Sequence, residues 1–207
     1  MKIFVLLLLL GPTIGLAQTF EGKIIYANSY KSKSPQFKDQ QLNAMMGTKQ
    51  EYYIKGGDYK SVFNGSFIKM QLYKSVENKS YTLTGKSDSL YSEDYGKNKD
   101  VPTKYQIEKS KITIMGLRCD VLIVFTPTSK LYYYYNKKYG VNPDLFKRHA
   151  YGNWYNIITK TKALPLKTIY ETGQFTIIST AINITQQKLN NSVFEISDKN
   201  KVAPATW

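Results

Sequence analysis

Side chains suited to acid–base, nucleophilic or metal chemistry are few and scattered in this chain of 207 residues. Its single histidine, His149, stands beside Arg148 and has no Asp or Glu three or four residues further on. Helical zinc sites pair two histidines one turn apart, and α/β-type serine hydrolases need a Gly-x-Ser-x-Gly turn. The chain has neither pattern. The sequence therefore predicts no catalytic role and no metal for His149.

The fifteen acidic residues lie mainly in the connections between apolar stretches. Glycosidases need two carboxyl groups that face one cleft. Glu108, Asp120 and Glu171 fall on predicted strands, but the sequence gives no ground for bringing any two of them together. Gly56-Gly57 lacks the spacing and the following helix of a phosphate-binding loop. We predict a non-catalytic protein without cofactor or metal, and a hydrolase with an unrecognised site remains an open alternative.

The first seventeen residues have the layout of a secretory signal peptide. Lys2 precedes an apolar run over residues 3–10, and Gly15-Leu16-Ala17 gives a small-x-small exit. The run is shorter than the roughly 20 residues that cross a bilayer as a helix. We predict a signal peptide over 1–17 and a single β-rich domain over 18–207. The protein is then exported and is periplasmic, associated with the outer membrane or secreted.

The composition of the remaining chain is typical of β-strands joined by turns. Stretches rich in Tyr, Ile, Val, Phe and Thr alternate with Gly, Asn, Asp and Ser, which is typical of antiparallel sheets. The predicted strands are 20–30, 51–54, 59–64, 67–73, 79–84, 90–94, 105–108, 111–115, 119–126, 131–136, 166–171 and 175–186. Cys119, the only cysteine, is predicted to be a buried apolar residue.

Two short helices are predicted in the longer connections. Ser34-Pro35 and Asn142-Pro143 each give a capping residue followed by proline, which favours the start of a helix. The first helix is expected to end before Gly47, and the second is expected to reach Ala150. The fold class is therefore mainly β (α+β), with an antiparallel sheet and a few short helices on one face.

Alternation along the strands predicts which side chains share a face of the sheet. One predicted set is Ile68, Met70 and Leu72, and another is Thr176, Ile178, Thr180, Ile182 and Ile184. Eighteen tyrosines include four in succession, so Tyr132 and Tyr134 should lie on one face and Tyr133 and Tyr135 on the other. Tyrosines of this kind pack in a core, cover an exposed face or line a ligand groove.

The formal charge of +14 and the pI near 9.6 favour anionic partners. The lysines stand singly between apolar residues, however, and no basic run is present. Scattered lysines are typical of the solvated side of strands. An anionic membrane surface is the partner that this charge predicts. Nucleic acid is not predicted, because the protein is expected to be exported, and no oligomeric state is predicted.

A series of short motifs resembles a known group of proteins. It begins with Phe20-Glu21-Gly22-Lys23-Ile24-Ile25-Tyr26 and continues through Tyr52-Tyr53-Ile54-Lys55-Gly56-Gly57 to Ile114-Met115-Gly116-Leu117-Arg118-Cys119-Asp120. A Tyr-rich strand, Asn142-Pro143, Leu164-Pro165-Leu166 and a closing Val193-Phe194-Glu195-Ile196 follow in that order. Together they resemble uncharacterised exported proteins, common in Bacteroidota, that are related to the outer-membrane lipoprotein carrier (LolA/LppX-like) half-barrel. Similarity to the GLPGLI family is weaker.

The resemblance implies a strongly curved antiparallel half-barrel with short helices on its concave face. In the carriers this hollow holds acyl chains, which implies an exported binding protein for a lipid or other apolar ligand. The predicted cavity residues are Met45, Met46, Ile68, Met70, Leu72, Phe125, Tyr132 and Tyr134. Met45 and Met46 are equally consistent with the core stripe of a helix. The alternative function is an envelope structural or protein-interaction module without a small-molecule ligand.

Overall fold

A computed structural model describes residues 19–197 and 201–206, so the signal peptide predicted at 1–17 lies outside the described residues. The predicted fold class is confirmed, because twelve strands form one large, open, curved sheet that carries short helices. The strands are β1 Gly22–Ser32, β2 Lys49–Lys55, β3 Asp58–Phe63, β4 Ile68–Lys74, β5 Lys79–Thr84, β6 Leu90–Asp94, β7 Lys104–Ile114, β8 Leu117–Phe125, β9 Ser129–Gly140, β10 Ala163–Thr172, β11 Phe175–Gln186 and β12 Val202–Pro204. The α-helices in this part of the chain are α1 Asp39–Met46 and α2 Trp154–Thr161.

The strand order is β12-β6-β5-β4-β3-β2-β1-β11-β10-β9-β8-β7. All neighbouring pairs are antiparallel except β12 and β6, which are parallel. Strands β6 and β7 follow each other in the chain but lie near opposite edges of the sheet. The connection 95–103 therefore has to travel from one edge to the other, and this path shapes the functional site.

Both predicted helices differ from the observed ones. The first begins at Asp39, four residues after Pro35, but it ends at Met46, before Gly47 as predicted. The Asn142-Pro143 signal begins only a 3-10 turn, Pro143–Phe146, in which the Asn142 side chain accepts a hydrogen bond from the Asp144 amide. Helix α2 was not predicted, since its Trp, Tyr, Ile and Thr residues are typical of strands. It is stabilised by packing of Ile157, Ile158 and Thr161 against the sheet, which outweighs local preference.

The sheet has an apolar core on each face. The larger core lies on the concave face beneath α2 and the Pro143–Phe146 turn. Cys119 is fully buried, as predicted. A smaller core lies on the convex face of β4 to β6, where Phe194 of the C-terminal segment packs with Leu72, Tyr81 and Leu90. The convex face of the other half of the sheet, which consists of β1, β11, β10, β9, β8 and β7, lies outside this second core.

A β-bulge changes the face predicted for part of β11. Ile24 pairs with Ile184, but Tyr26 pairs with Ala181, because the register shifts by one residue between them. Ile184 and Ala181 thus belong to the concave core together. The prediction that Ile184 shares a face with Ile178 was wrong, because one extra residue in a strand moves every later side chain to the opposite face.

Candidate functional site

A group of aromatic rings, here called the aromatic plug, fills the middle of the concave face. It consists of Tyr59, Tyr73, Tyr95, His149 and Trp154. The Tyr59 hydroxyl lies 2.7 Å from His149 Nε2. The ring centres of Tyr73, Tyr95 and Trp154 lie 4.5, 4.9 and 6.0 Å from that of the imidazole. The hollow of the curved sheet is therefore filled at its centre.

The environment of His149 is that of a structural side chain. It is 2% exposed, and burial lowers its pKa to about 3, so that the imidazole is neutral near pH 7. Its Nδ1 atom has no hydrogen-bond partner among the described residues. A general base needs an ordinary or raised proton affinity and access to substrate. This histidine packs the core instead.

A cleft of about 780 Å³ opens beside the aromatic plug. It lies between the connection 95–103, the start of α2 and the concave face of β8, β9 and β10. Its floor is a row of cross-strand neighbours, because Val124 pairs with Leu131 and Leu131 pairs with Tyr170. Ile157 and Tyr151 add apolar surface from the helical side. This volume is within the range of small-molecule sites in proteins, about 300–1,000 Å³.

The connection 95–103 forms one wall of the cleft and is tied to the turn that precedes α2. The Asn98 side-chain amide donates to the Asn153 side-chain oxygen at 2.6 Å. The Asn153 side-chain amide in turn donates to the backbone carbonyl of Asp100 at 2.9 Å. The Tyr95 carbonyl accepts from the backbone amides of Ala150 and Tyr151 at 2.8 and 3.0 Å. These bonds hold the wall against the turn before α2, and the Thr103 amide, which donates to the Phe125 carbonyl at 2.8 Å, ties its other end to β8.

Charged side chains of both signs surround the mouth of the cleft. Asp100 accepts hydrogen bonds from the hydroxyls of Thr126 and Ser129, at 2.5 and 3.0 Å. Burial opposes its ionisation, but these hydrogen bonds outweigh burial and hold the pKa of Asp100 below its ordinary value. Burial raises the pKa of Glu93, and the positive charge of Lys99 opposes that rise. The mouth can thus bind a polar group while the floor binds an apolar one.

A second, smaller cavity of about 170 Å³ lies further along the concave face. Thr168 and Ser179 form part of its floor, and Tyr52 and Trp154 form part of its wall. Thr168 and Tyr170 lie two residues apart on β10, so both cavities belong to the same face of the sheet. The Tyr52 hydroxyl and the Trp154 indole N–H have no hydrogen-bond partner in the described chain.

Five of the eight cavity residues predicted from the sequence lie on the convex face. Met70 and Leu72 belong to the core beneath the C-terminal segment. By strand alternation Tyr132, Tyr134 and Phe125 lie on the face opposite the cleft floor, and Tyr134 also packs against the larger core. The Lys130 ammonium lies 4.5 Å from the ring centre of Tyr132 and 5.1 Å from that of Phe125.

The other three predicted residues lie at the opposite end of the sheet from the β7–β8 turn. Met45 and Met46 are on α1, and neither is buried. Ile68 is half-buried at the start of β4. Among the described residues, the eight do not meet in one cavity, and none of them lines the 780 Å³ cleft. Ligand contact by any of them stays a prediction.

The residues that do line the cleft were missed for two reasons. Leu131 and Val124 are sequence neighbours of Tyr132 and Phe125, and alternation alone does not say which of two faces is concave. Ile157 and Tyr151 come from a helical region that was not predicted. The sequence offered one signal, which concerns Leu131. It stands two and four residues before Tyr133 and Tyr135 and so shares the face of these tyrosines, which are buried in the concave core.

Within residues 19–197 and 201–206, no three His, Cys, Asp or Glu side chains come together as a metal site requires. No helix in the same part of the chain combines the length and the apolar character needed to cross a membrane.

No protein-family model and no curated protein matches the chain. Among solved structures, it is similar to the crystal structure of a LolA superfamily protein from Nitrosomonas europaea. The two share 9% sequence identity at a TM-score of 0.40, and the similarity covers 86% of this chain and 91% of that chain.

Proposed function

We propose that this chain is an exported, non-catalytic protein that binds a lipid or another apolar ligand in the 780 Å³ cleft. The observation that carries the proposal is the row Val124–Leu131–Tyr170, an apolar floor in a cleft with a polar mouth. Export rests on the signal peptide predicted at 1–17. N-terminal sequencing of the secreted protein tests it, with a first residue at or near Gln18 as the expected result.

The size and lining of the cleft favour an amphipathic molecule. Each buried CH₂ group contributes about 0.8 kcal/mol, so an acyl segment of about eight such groups gains roughly 6 kcal/mol by leaving water. Lys97 and Lys99 line the cleft and suit an anionic headgroup, whereas Asp100 already accepts hydrogen bonds from Thr126 and Ser129. A purely hydrocarbon ligand would not use the two lysines, whereas the anionic headgroup of a fatty acid or phospholipid would pair with them.

The test compares two substitutions on adjacent residues of β9. Leu131→Trp fills the cleft, and Tyr132→Trp places the same side chain on the convex face. Native mass spectrometry of the gently purified protein, followed by lipid extraction, should show a bound acyl species for the parent protein and for Tyr132→Trp. The Leu131→Trp variant should lose it, while the midpoints of urea unfolding establish that both variants are folded.

Two results would contradict the proposal. One is a ligand-free mass for the parent protein that persists when fatty acids and phospholipids are added. The other is loss of the bound species from Tyr132→Trp but not from Leu131→Trp, which would place the ligand on the convex face, beside the residues predicted from sequence.

The convex face supports a second candidate function, an envelope interaction module without a small-molecule ligand. Ile178, Ile169, Tyr132 and Ile123 are direct cross-strand neighbours there and form one apolar row outside the core that Phe194 helps to cover. A protein partner could contact Tyr132, Ile169 and Ile178, which are half-buried, whereas Ile123 is 6% exposed. This function would be favoured by a ligand-free parent protein together with an envelope partner whose binding is lost in Tyr132→Trp.

A further inference from the structure

The turn between β7 and β8 exposes an apolar side chain in an unfavourable backbone conformation. Met115 and Gly116 join Ile114 to Leu117, with φ values of 48° and 76°. Two-residue turns with positive φ at both positions strongly prefer Asn-Gly or Gly-Gly, because a side chain in the left-handed region crowds the backbone. Met115 is nevertheless 46% exposed. Folding alone would favour a different residue here.

Basic side chains surround this turn. The Asn136 amide donates to the Arg118 carbonyl at 2.7 Å, which holds the end of β9 beside the start of β8. Asp120 pairs with Lys109 at 2.8 Å, and Glu108 pairs with Lys111 at 3.2 Å. The basic residues on the turn-proximal half of the β7–β8 hairpin and at the end of β9 are Lys109, Lys111, Arg118, Lys137 and Lys138. After the two pairs are formed, this corner of the sheet keeps a positive surplus.

We propose that this corner docks on the surface of an anionic phospholipid bilayer, with Met115 in the interfacial layer and the basic residues at the lipid phosphates. Basic residues beside an apolar side chain are the combination that binds such a surface, since charge attracts the protein and apolar burial retains it. A soluble polyanion would use the charges alone and would leave the Met115 side chain in water. This site is separate from the cleft and does not depend on the proposed function.

The experiment is co-sedimentation of the purified protein with vesicles of phosphatidylcholine, with and without phosphatidylglycerol, over a series of salt concentrations. The first variant, Lys137→Gln/Lys138→Gln, should bind the anionic vesicles about 25-fold more weakly, because each basic residue near such a surface contributes about 1 kcal/mol, or about fivefold. Its matched control is Lys31→Gln/Lys86→Gln, two exposed lysines at the opposite end of the sheet. The control should bind as the parent protein does.

The second variant, Met115→Asn, separates docking from folding. Because Asn suits the left-handed conformation, the melting temperature should rise by about 2 °C. Vesicle binding should nevertheless fall by about fivefold or more, since the apolar side chain is gone. Met115→Gly should behave in the same way and serves if the Asn variant folds poorly. Phe67→Asn is the matched control, because Phe67 is 45% exposed and precedes β4 at the opposite end of the sheet.

Three outcomes would overturn the proposal. The first is equal binding by the parent protein and both corner variants. The second is equal binding to vesicles with and without phosphatidylglycerol. The third is binding to heparin, a soluble polyanion, that is as tight as binding to the vesicles, combined with vesicle binding that Met115→Asn leaves unchanged.

Discussion

Replacement of His149 by leucine should reduce the loss of folding stability that the protein undergoes when the pH falls from 7 to 5. His149 is buried in the aromatic plug and hydrogen bonds the Tyr59 hydroxyl. Leucine has a similar volume and cannot bind a proton. The substitution leaves the Tyr59 hydroxyl unpaired, at a cost of about 1–3 kcal/mol. A double variant, Tyr59→Phe/His149→Leu, removes both partners and limits that cost.

The expected magnitude follows from the buried imidazole. Burial lowers the pKa of His149 from 6.5 to about 3. Between pH 6.5 and about 3, the His149 side chain therefore binds a proton in the unfolded chain but not in the folded one. The contribution of His149 to stability is present above pH 6.5 and is lost as the pH falls toward 3. From pH 7 to pH 5 the loss from this one group is about 2 kcal/mol, at 1.36 kcal/mol per pKa unit.

The assay is urea unfolding at pH 7, 6 and 5, followed by far-ultraviolet circular dichroism. In this range the carboxyl groups with lowered pKa values, such as Glu51 beside Lys23, remain ionised in the folded protein. The free energy of unfolding should fall about 2 kcal/mol further in the parent protein than in the double variant. Contributions from all other groups cancel in the comparison, because both proteins carry them.

Equal losses of stability in the two proteins would refute this reasoning. An imidazole proton resonance that titrates near pH 6.5 in the folded protein would do so independently. Either result would mean that water reaches His149, so that the centre of the concave face is not filled.

Two further substitutions test other parts of the fold. Phe194→Ala should lower the free energy of urea unfolding by about 3–5 kcal/mol, because Phe194 is buried in the convex core with Leu72 and Leu90; a loss below 1 kcal/mol would show that the C-terminal segment is not packed there. Asn98→Ala should lower the free energy of unfolding by about 1 kcal/mol and speed amide hydrogen exchange in 95–103, because it removes the hydrogen bond to the Asn153 side chain. Unchanged exchange at 95–103 would mean that this wall is held by other contacts.

The strands were predictable because their signals are local. The predicted ranges 79–84, 90–94 and 175–186 coincide with β5, β6 and β11. Alternating β-branched and aromatic residues, bounded by turn residues, specify a strand without reference to the rest of the chain. Where the signal is weak the prediction differs. Ranges 105–108 and 111–115 are one strand, β7, whose register shifts around Ser110, which has a φ of 50°.

Elements that depend on distant partners were not predictable. Strand β12 has three residues, one of them proline, and it exists because it pairs with β6 more than a hundred residues earlier in the chain. Helix α2 consists of residues that favour strands, and it is helical because Ile157 and Ile158 pack against the concave face. In both cases a contact with a remote part of the chain outweighs the preference of the segment itself.

The sequence by itself determined a mainly β chain with few reactive side chains, a surplus of lysine and the positions of most strands. The tertiary structure alone decided which face of each strand is concave, and therefore that Leu131 rather than Tyr132 lines the cleft. A period of two defines two faces but does not distinguish them, because curvature arises from the whole sheet. Likewise, the connection 95–103 is a wall only because its two flanking strands lie near opposite edges.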